Sequence, residues 1–377
     1  MLDIVLPKTQ STGDCKEMRE LTARICRDYL HGVWKKVNAK NIDFKHISGG
    51  LSNLLYHVSL PESLFAESKR QDEPKEVLIR VYGQTHGEGA IEALITESVV
   101  FTLLSERGLG PKLHGIFPGG RIEQYIDARP LKTRELADEK LSVRIAQKMA
   151  SIHEMEVPLH KEPEWLWNTL NRWLQTCEKK PIKNMPEYVS DIMEKTDLKT
   201  EANWLKNRLE TEDCSVVFCH NDMQEGNILI SRDADANMED PELVIIDFEY
   251  CSYNYRSFDI ANHFAEWVYD YTEPNHPFFK EDLTKYPSEK QRLDFIRAYL
   301  HERGSRENPK KVMREVEVFT LASHLFWAVW ALINAKTSQI PFGYWEYAGC
   351  RLSAYFQLKQ KLSGCTQLKR KMDELTV

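Results

Sequence analysis

Three β-prone runs with polar residues between them constrain this 377-residue chain more than any other feature. The first two, residues 216–218 and 228–230, flank a polar loop, so the pattern predicts strand, loop, strand. A turn at Asp240-Pro241 precedes a third β-rich run, which ends in Asp247-Phe248-Glu249. The sequence therefore predicts acidic residues in a loop between two strands and at the end of a third strand.

The loop carries the residues needed for phosphoryl transfer. Four residues separate Asp222 from Asn227, the spacing of a kinase catalytic loop, and Asp247 stands where the metal-binding Asp of an Asp-Phe-Gly segment would stand. The reaction needs a carboxylate that accepts the hydroxyl proton, which we assign to Asp222, and Mg²⁺ on the phosphates of ATP. Mg²⁺ prefers oxygen ligands, so Asn227, Asp247 and Glu249 are the candidate metal ligands. A hairpin with solvated acids is the alternative, which the order of the two motif pieces disfavours.

The residues after this segment are more specific. His220-Asn221-Asp222 replaces the His-Arg-Asp of protein kinases, and Asp247-Phe248-Glu249 replaces Asp-Phe-Gly. The run that follows, from Tyr250 to Trp267, resembles the signature of the choline/ethanolamine kinase family, more closely that of its choline kinases. The resemblance covers nearly the whole chain from about Phe44. No Ala-Pro-Glu segment follows, which disfavours a protein kinase.

The resemblance implies an α+β, bilobal protein-kinase-like fold with a small β-rich N-terminal lobe and a large, mostly helical C-terminal lobe. We expect an ATP-binding lobe at residues 1–125, with residues 1–13 as a mobile tail, and a catalytic and substrate-binding lobe at residues 126–377. A chain of 377 residues is long enough for both lobes.

Turn residues and apolar periodicity predict the remaining elements. We expect hairpins within residues 44–60 and 112–126, a strand at 76–82, and helices at 90–107, 138–156, 258–270, 288–302, 310–336 and 343–362, with one longer helix that ends near Leu209.

The first lobe offers candidate ATP contacts. Residues 48–53 form a candidate phosphate loop, in which Ser52 and Asn53 add side-chain donors to a Gly-Gly turn. A plain hairpin turn is the simpler explanation of that pattern alone. Arg80 stands at the position of the Val-Ala-Ile-Lys lysine and can pair phosphate oxygens bidentately. The resemblance makes Glu97 the partner of Arg80.

Residues 123–126 resemble the hinge of a kinase. The resemblance implies that their backbone binds the adenine edge and that Gln124 and Ile126 line the adenine slot. ATP and Mg²⁺ are therefore the expected cofactors.

Aromatic residues crowd the last third of the chain. Trp327 and Trp330 are three residues apart and would face one side of a helix. Core packing is the usual explanation of such a stripe. The resemblance instead implies a choline pocket, because aromatic faces attract quaternary ammonium groups by ~0.5–2 kcal/mol each. The implied substrate-binding residues are Tyr250, Glu266, Tyr271, Phe278, Trp327, Trp330, Phe342 and Tyr347.

The implied activity is transfer of the γ-phosphoryl group of MgATP to choline, giving phosphocholine. Ethanolamine is the nearest alternative substrate. An aminoglycoside-type phosphotransferase shares the His-x-Asp loop but would need acidic residues around a polyamine. A kinase-like binding module without activity would normally lack Asp222, Asn227 or Asp247, and all three are present.

Composition bounds the partners and the location. A net charge of −7 argues against a general affinity for nucleic acid or anionic membranes. Eight cysteines without a Cys-x-x-Cys pair predict reduced thiols in a cytoplasmic protein. Residues 318–335 lack Asp, Glu, Lys and Arg, yet their polar residues and central aromatics favour a buried helix, so we expect no transmembrane segment. The resemblance implies a homodimer.

Overall fold

A computed structural model describes residues 16–47, 53–82, 90–179, 185–232, 242–338 and 340–375 of the protein. Within these ranges the side chains of residues 53, 90–94, 178–179 and 364–375 are not described. The predicted tail at 1–13 and most of the candidate phosphate loop, including Ser52, lie outside the described residues. The chain divides into two compact units between Ala128 and Arg129.

The first unit is built on a five-stranded antiparallel sheet. Its strands are β1 (Asp43–Ile47), β2 (Asn53–Ser59), β3 (Glu76–Tyr82), β4 (Leu113–Phe117) and β5 (Gly120–Gln124), in the order β1-β2-β3-β5-β4. Both predicted hairpins are confirmed, because β1 pairs with β2 and β4 pairs with β5. Side chains alternate across β3, so Val77 and Ile79 enter the core while Arg80 lies on the opposite face.

Helices and a tight turn complete the first unit. The helices are α1 (Lys16–Tyr29), α2 (Glu62–Phe65) and α3 (Ala90–Glu106), with a 3₁₀ helix at Gly32–Lys36. The core joins α1 to the sheet and includes the fully buried Cys26 and Trp34. Gly120 begins β5 where a Cβ atom would overlap the carbonyl oxygen of Arg80, so only glycine allows these two strands to approach at that point.

The described residues of the second unit form three small sheets. Its strands are β6 (Ala128–Pro130), β7 (Val216–Cys219), β8 (Ile228–Ser231), β9 (Leu243–Ile245), β10 (Ser252–Tyr255), β11 (Tyr269–Asp270) and β12 (Lys280–Glu281). The sheets are β6-β8-β9, β10-β7 and β11-β12. The predicted strand, loop and strand at 216–230 are confirmed, but the two strands belong to different sheets. The loop between β7 and β8 therefore links two sheets.

Helices form most of the second unit. They are α4 (Glu139–His153), α5 (Glu164–Lys179), α6 (Glu187–Lys195), α7 (Leu198–Leu209), α8 (Arg256–Glu266), α9 (Glu289–Glu302), α10 (Pro309–Thr337) and α11 (Tyr344–Leu375), with 3₁₀ helices at Thr133–Ala137, Glu225–Asn227 and Leu283–Lys285. The single longer helix predicted before residue 209 is wrong. Asp197 accepts hydrogen bonds from the amides of Lys199 and Thr200, so it begins a new helix there.

Two helices of the second unit are unusually buried. Every residue of α8 is buried, including the polar residues Asp259, Asn262, His263 and Glu266. By length and composition alone, helix α10 could cross a membrane. However, 83% of its most apolar 18-residue stretch is buried inside the protein. The prediction of a buried helix at this position is confirmed. Helix α10 packs against α8, and Asp259 of α8 accepts hydrogen bonds from the catalytic loop.

Candidate active site

The loop after β7 holds Asp222 and Asn227 in contact. The Nδ2 of Asn227 donates to Oδ2 and to the backbone carbonyl of Asp222, both at 2.9 Å. These two bonds occupy the amide hydrogens of Asn227 and turn its side-chain oxygen away from Asp222. Asn227 thus orients the carboxylate of Asp222 while its own oxygen remains suited to a cation.

Several carboxylates converge on Asp222. Removal from water raises the pKa of Asp222 well above its usual range, and the nearby carboxylates of Glu266, Asp247 and Glu249 raise it further. Like charges gathered in this way favour a cation among them. Oxygen donors from Asp247, Glu249 and Asn227 suit a hard divalent ion, so the residues present fit Mg²⁺.

Asp247 follows β9 in a left-handed backbone conformation, with φ of 63°. This conformation is uncommon for a residue with a Cβ atom and often marks functional sites. Neighbouring bonds hold the segment, because the amide of Ile246 donates to the carbonyl of Asn227 at 3.0 Å. The ring Nε2 of His220 also lies 2.9 Å from the carbonyl oxygen of Ile246. These bonds tie the candidate metal ligand Asp247 to the catalytic loop.

Asp259 of α8 supports the same loop by accepting hydrogen bonds from its backbone amides. Its Oδ2 accepts from the amide of His220 and its Oδ1 from the amide of Asn221, both at 2.9 Å. His153 Nε2 lies 2.9 Å from Oδ2. Donor atoms of His153, Cys219 and Asp259 lie within 4.8 Å of one another, as in a metal site. Because the oxygens of Asp259 are already engaged with the loop and His153, we interpret this cluster as a support for the loop.

The predicted aromatic residues mostly come together in the second unit. Ring centroids are 5.4 Å apart for Tyr250 and Trp327, 5.5 Å for Trp327 and Trp330, and 6.4 Å for Trp330 and Tyr347. Phe342 and Tyr271 adjoin Tyr347 at 5.7 and 6.2 Å. We call these residues the aromatic cluster: Tyr250, Tyr271, Trp327, Trp330, Phe342 and Tyr347. Trp327 and Tyr347 are buried, while the other four keep part of their surface exposed.

The position of Phe278 differs from the prediction. Its ring lies against His276, with centroids 6.2 Å apart, whereas the ring of the next residue, Phe279, packs 5.3 Å from Tyr347. Phe278 has a left-handed φ of 63°, which departs from extended backbone, and the rings of Phe278 and Phe279 contact different neighbours. The described ring contacts therefore place Phe279, rather than Phe278, against the aromatic cluster.

Glu266 lies beside this cluster and is 3% exposed. It accepts a hydrogen bond from the hydroxyl of Tyr271 at 2.7 Å and forms an ion pair with Arg351 of α11. The Nε1 of Trp330 donates to the hydroxyl of Tyr250 at 3.1 Å. Polar atoms thus fix the orientation of several rings in the aromatic cluster.

In the first unit, the predicted pair between Arg80 and Glu97 is wrong. Arg80 Nε donates to Oε1 of Glu123 at 2.9 Å, and Glu97 instead accepts from Arg121 Nη1 at 2.5 Å. The strand register explains this change. Arg80 lies opposite Arg121, and Glu123 lies two residues further along β5 on the same face. The guanidinium of Arg121 packs 4.1 Å from the ring centroid of Phe101, one helical turn from Glu97, so Arg121 reaches the glutamate.

The other predicted nucleotide contacts are only partly described. Asn53 begins β2 and pairs with Tyr82 of β3, but its side chain is outside the description. The amide of Gln124 donates to the carbonyl of Lys112 at 2.8 Å, and its Oε1 accepts from the amide of Lys112 at 3.2 Å. Ile126 is half-buried two residues beyond β5. Their contacts with ATP stay predictions.

Sequence analysis missed several residues that shape the site. Asp259 lies inside the run from Tyr250 to Trp267 that carries the family resemblance, and this position could have indicated a role in the site. Arg121 and Glu123 alternate with Ile122 on a predicted strand, and two charges on one strand face could have indicated a polar network. Arg351 stands alone in a helix, and nothing in the local sequence distinguishes it from a solvated arginine.

Comparison with known sequences agrees with the geometry. The sequence model of a family described as Choline/ethanolamine kinase matches residues 44–356. A human protein named choline/ethanolamine kinase is 46% identical over 351 residues, which covers 90% of this chain and 85% of that protein. A mouse protein named choline kinase alpha is 43% identical over 368 residues, with coverage of 89% and 80%.

Comparison with solved structures extends the likeness to the fold. A choline kinase from Cryptosporidium parvum superposes with a TM-score of 0.73 at 30% identity, covering 92% of this chain and 97% of that one. The predicted α+β, protein-kinase-like fold, with a β-rich first unit and a mostly helical second unit, is confirmed.

Proposed function

The chain belongs to the choline/ethanolamine kinase family, and from that premise we propose that it transfers the γ-phosphoryl group of MgATP to the hydroxyl of choline. It is an ATP-dependent small-molecule kinase. The observation that carries the choice of choline is the aromatic cluster next to the catalytic loop, because the carbonyl of Tyr250 accepts from Nδ2 of Asn221, the residue before Asp222, at 2.9 Å. The product is phosphocholine.

Asp222 is the proposed proton acceptor. As the choline oxygen attacks the γ-phosphorus, its O–H bond breaks and the proton passes to Asp222. A new P–O bond forms to choline, and the bond to the bridging oxygen breaks, so that ADP leaves with the electron pair. Asn227 holds Asp222 in place through two hydrogen bonds of 2.9 Å. A carboxylate positioned in this way contributes ~10²–10⁴-fold to the rate.

Asn227, Asp247 and Glu249 are the proposed Mg²⁺ ligands. The ion, when bound, neutralises charge on the phosphates. The protein contributes the position of the ligands: bonds from Ile246 hold Asp247 against the catalytic loop. Asn227 supplies a neutral side-chain oxygen, and the hydrogen bond from its Nδ2 to Asp222 turns that oxygen away from Asp222. We expect Glu249, which is exposed, to contribute less than Asp247.

The aromatic cluster is the proposed site for the quaternary ammonium group. This group has no N–H to donate, so it gains most from aromatic faces. Trp330, Tyr250, Tyr271 and Phe342 retain exposed surface for that contact. The buried Trp327 instead donates from Nε1 to Asn262 at 2.7 Å, which anchors the cluster to α8.

In the first unit we propose Arg80 as a ligand of ATP phosphate oxygens. Glu123 accepts from its Nε, and the two terminal nitrogens of the guanidinium have the geometry for a bidentate contact with phosphate. Ser52 and Asn53 as phosphate ligands, and Gln124 and Ile126 as adenine contacts, remain part of the proposal.

Ethanolamine is the second candidate acceptor. A relative that is 46% identical bears the name choline/ethanolamine kinase, which favours some use of both amines. On the family resemblance, we also propose that the enzyme is a cytoplasmic homodimer that catalyses the first step toward phosphatidylcholine. None of the described cysteines Cys26, Cys177, Cys214, Cys219, Cys251 and Cys350 is in a disulfide, which suits a reducing compartment.

The experiment that tests the proposal is a phosphorylation assay with the purified full-length chain. ADP release would be measured with MgATP and, separately, choline, ethanolamine, an aminoglycoside and a peptide. We expect the highest kcat/KM for choline. A matched preparation of Asp222→Asn accounts for contaminating kinases. If ethanolamine gave an equal or higher kcat/KM, choline would lose its place as the principal substrate. Activity on the aminoglycoside alone would overturn the proposal.

A further inference from the structure

Arg351 makes contacts that the mechanism above does not use. Its side chain is fully buried in α11 and forms an ion pair through Nη2 with Oε1 of Glu266. Its Nε and Nη2 also donate to the hydroxyl of Tyr347, at 3.0 and 2.6 Å. The guanidinium lies 4.2 Å from the ring centroid of Tyr269. Arg351 thus joins a carboxylate of α8 to a ring of the aromatic cluster.

These contacts engage both oxygens of Glu266. Arg351 takes Oε1, and the hydroxyl of Tyr271 donates to Oε2 at 2.7 Å. The hydroxyls of Tyr271 and Tyr347 lie 2.9 Å apart, which closes a ring of polar contacts through Glu266 and Arg351. A guanidinium offset by one carboxylate leaves this group of residues with no net charge. Glu266 is therefore held by protein donors, and its negative charge is compensated.

Because of where Glu266 lies, the bonds that hold its carboxylate affect substrate choice. Glu266 lies one turn after Asn262 on α8, and Asn262 donates from Nδ2 to the carbonyl of Asn221, the residue before the proposed base, at 3.3 Å. The Oε2 of Glu266 also accepts from Tyr271 of the aromatic cluster, so this carboxylate lies between the catalytic loop and the cluster. A carboxylate there would be an acceptor for the N–H groups of a primary ammonium. A trimethylated ammonium has no such hydrogen and would gain nothing from that acceptor beyond its charge.

We propose that Arg351 is a specificity-determining residue of the acceptor site: by holding Glu266, it withholds that carboxylate from ammonium N–H groups and favours N-methylated cations. This inference rests on the proposed function. Arg351 acts through Glu266 and Tyr347 rather than by contact with the reacting atoms. The wild type should therefore use a series of amino alcohols in order of methylation, because each N–H without an acceptor weakens binding.

The test compares choline, dimethylethanolamine, monomethylethanolamine and ethanolamine as substrates of the full-length enzyme. The readout is the ratio of kcat/KM for ethanolamine to that for choline, which does not depend on the fraction of folded enzyme because both values come from one preparation. Arg351→Met should release Glu266 and raise this ratio about tenfold, and should flatten the dependence on methylation. Arg351→Lys keeps the cation and should leave the ratio nearer the wild-type value.

Two further variants separate this role from a merely structural one. In the double variant Glu266→Gln with Arg351→Met, the released carboxylate is gone, so the ratio should stay close to that of the wild type. Tyr271→Phe removes the donor to Oε2 but keeps the ring and the ion pair, so it should raise the ratio about two- to threefold. This variant decides the matter if Arg351→Met yields no folded enzyme.

The outcomes distinguish this inference from the proposed function. An unchanged ratio in both Arg351→Met and Tyr271→Phe, or an equal rise in the double variant, overturns the role of Arg351 while choline kinase activity stands. If the wild type phosphorylates none of the four amino alcohols, the proposed function fails first, and the role of Arg351 fails with it.

Discussion

Asp259 accepts a hydrogen bond through Oδ1 from the backbone amide of Asn221 at 2.9 Å, and Asn221 has a left-handed φ of 68°. Asn221 immediately precedes the proposed base Asp222. A left-handed backbone is unfavourable for most residues with a Cβ atom, so surrounding bonds must hold it. Asn254 contributes as well, since its Nδ2 donates to Oδ1 of Asn221 at 2.8 Å. The position of Asp222 therefore depends on a buried aspartate of α8.

We expect Asp259→Asn to lower kcat at least tenfold while the KM for choline changes little. Asparagine has one acceptor oxygen and presents N–H donors toward the amides of His220 and Asn221, so the loop loses at least one bond. Steady-state kinetics with circular dichroism of the folded variant would measure this. The matched control is Asp213→Asn, because the side chain of Asp213 is 98% exposed. Equal kinetics for the two variants would contradict the role of Asp259.

Asp222→Asn should keep the fold and the binding of ATP but remove the proton acceptor. A positioned general base typically contributes ~10²–10⁴-fold, and we expect kcat to fall by that amount. Single-turnover phosphorylation of choline would measure the loss, and nucleotide titration of the same sample would show whether ATP still binds. Turnover near that of the wild type would exclude Asp222 as the base.

The catalytic loop could be predicted because its information is local. Asp222, Asn227 and Asp247 lie within 26 residues of one another, in a loop between two short strands and just after a third, and the strands form where the pattern indicated. Their residue types also follow directly from the needs of phosphoryl transfer. The helices at 90–106, 289–302 and 309–337 followed from apolar periodicity for the same reason.

Contacts between distant segments could not be predicted in this way. Arg351 lies 85 residues from Glu266, and no local pattern joins them. The choice of Arg121 over Arg80 as the partner of Glu97 depends on the register of β3 and β5 and on the packing of Phe101. The sequence predicted Phe278 where Phe279 contacts the aromatic cluster, because the local pattern gives no sign of the left-handed φ of 63° at Phe278.

Asp247→Asn should raise the Mg²⁺ concentration needed for half-maximal activity and lower kcat steeply. The substitution replaces a charged oxygen ligand by a neutral one beside the phosphates. Glu249→Gln is the comparison, and we expect a smaller change because Glu249 is exposed. Activity would be measured over a Mg²⁺ titration at saturating ATP and choline. An unchanged Mg²⁺ dependence of Asp247→Asn would refute its assignment as a ligand.

Trp330→Ala should lower kcat/KM for choline about tenfold, because one lost cation–π contact is worth ~0.5–2 kcal/mol and packing is lost as well. The KM for ATP should stay near its starting value. The exposed Trp204 packs against Lys359 rather than against the aromatic cluster, so Trp204→Ala is the matched control. Normal choline kinetics in the folded fraction of Trp330→Ala would assign Trp330 to core packing alone.

His263 predicts a loss of stability in mild acid. Burial lowers its pKa to about 4, against 6.5 for the free side chain, and its Nδ1 lies 2.8 Å from the carbonyl oxygen of Met223 in the catalytic loop. Between these two values the unfolded chain binds the proton and the folded chain does not, so the free energy of unfolding falls as the pH is lowered from 6.5 toward 4.

We expect His263→Gln, which cannot take up that proton, to lose less stability over this window by about 1–3 kcal/mol. Denaturant unfolding at pH 7 and pH 5 would measure the difference, with His160→Gln at an exposed site as the control. Because His324, whose pKa burial lowers to about 3, titrates in the same direction, part of the pH dependence should remain in the variant. Equal losses in wild type and His263→Gln would mean that His263 does not carry this dependence.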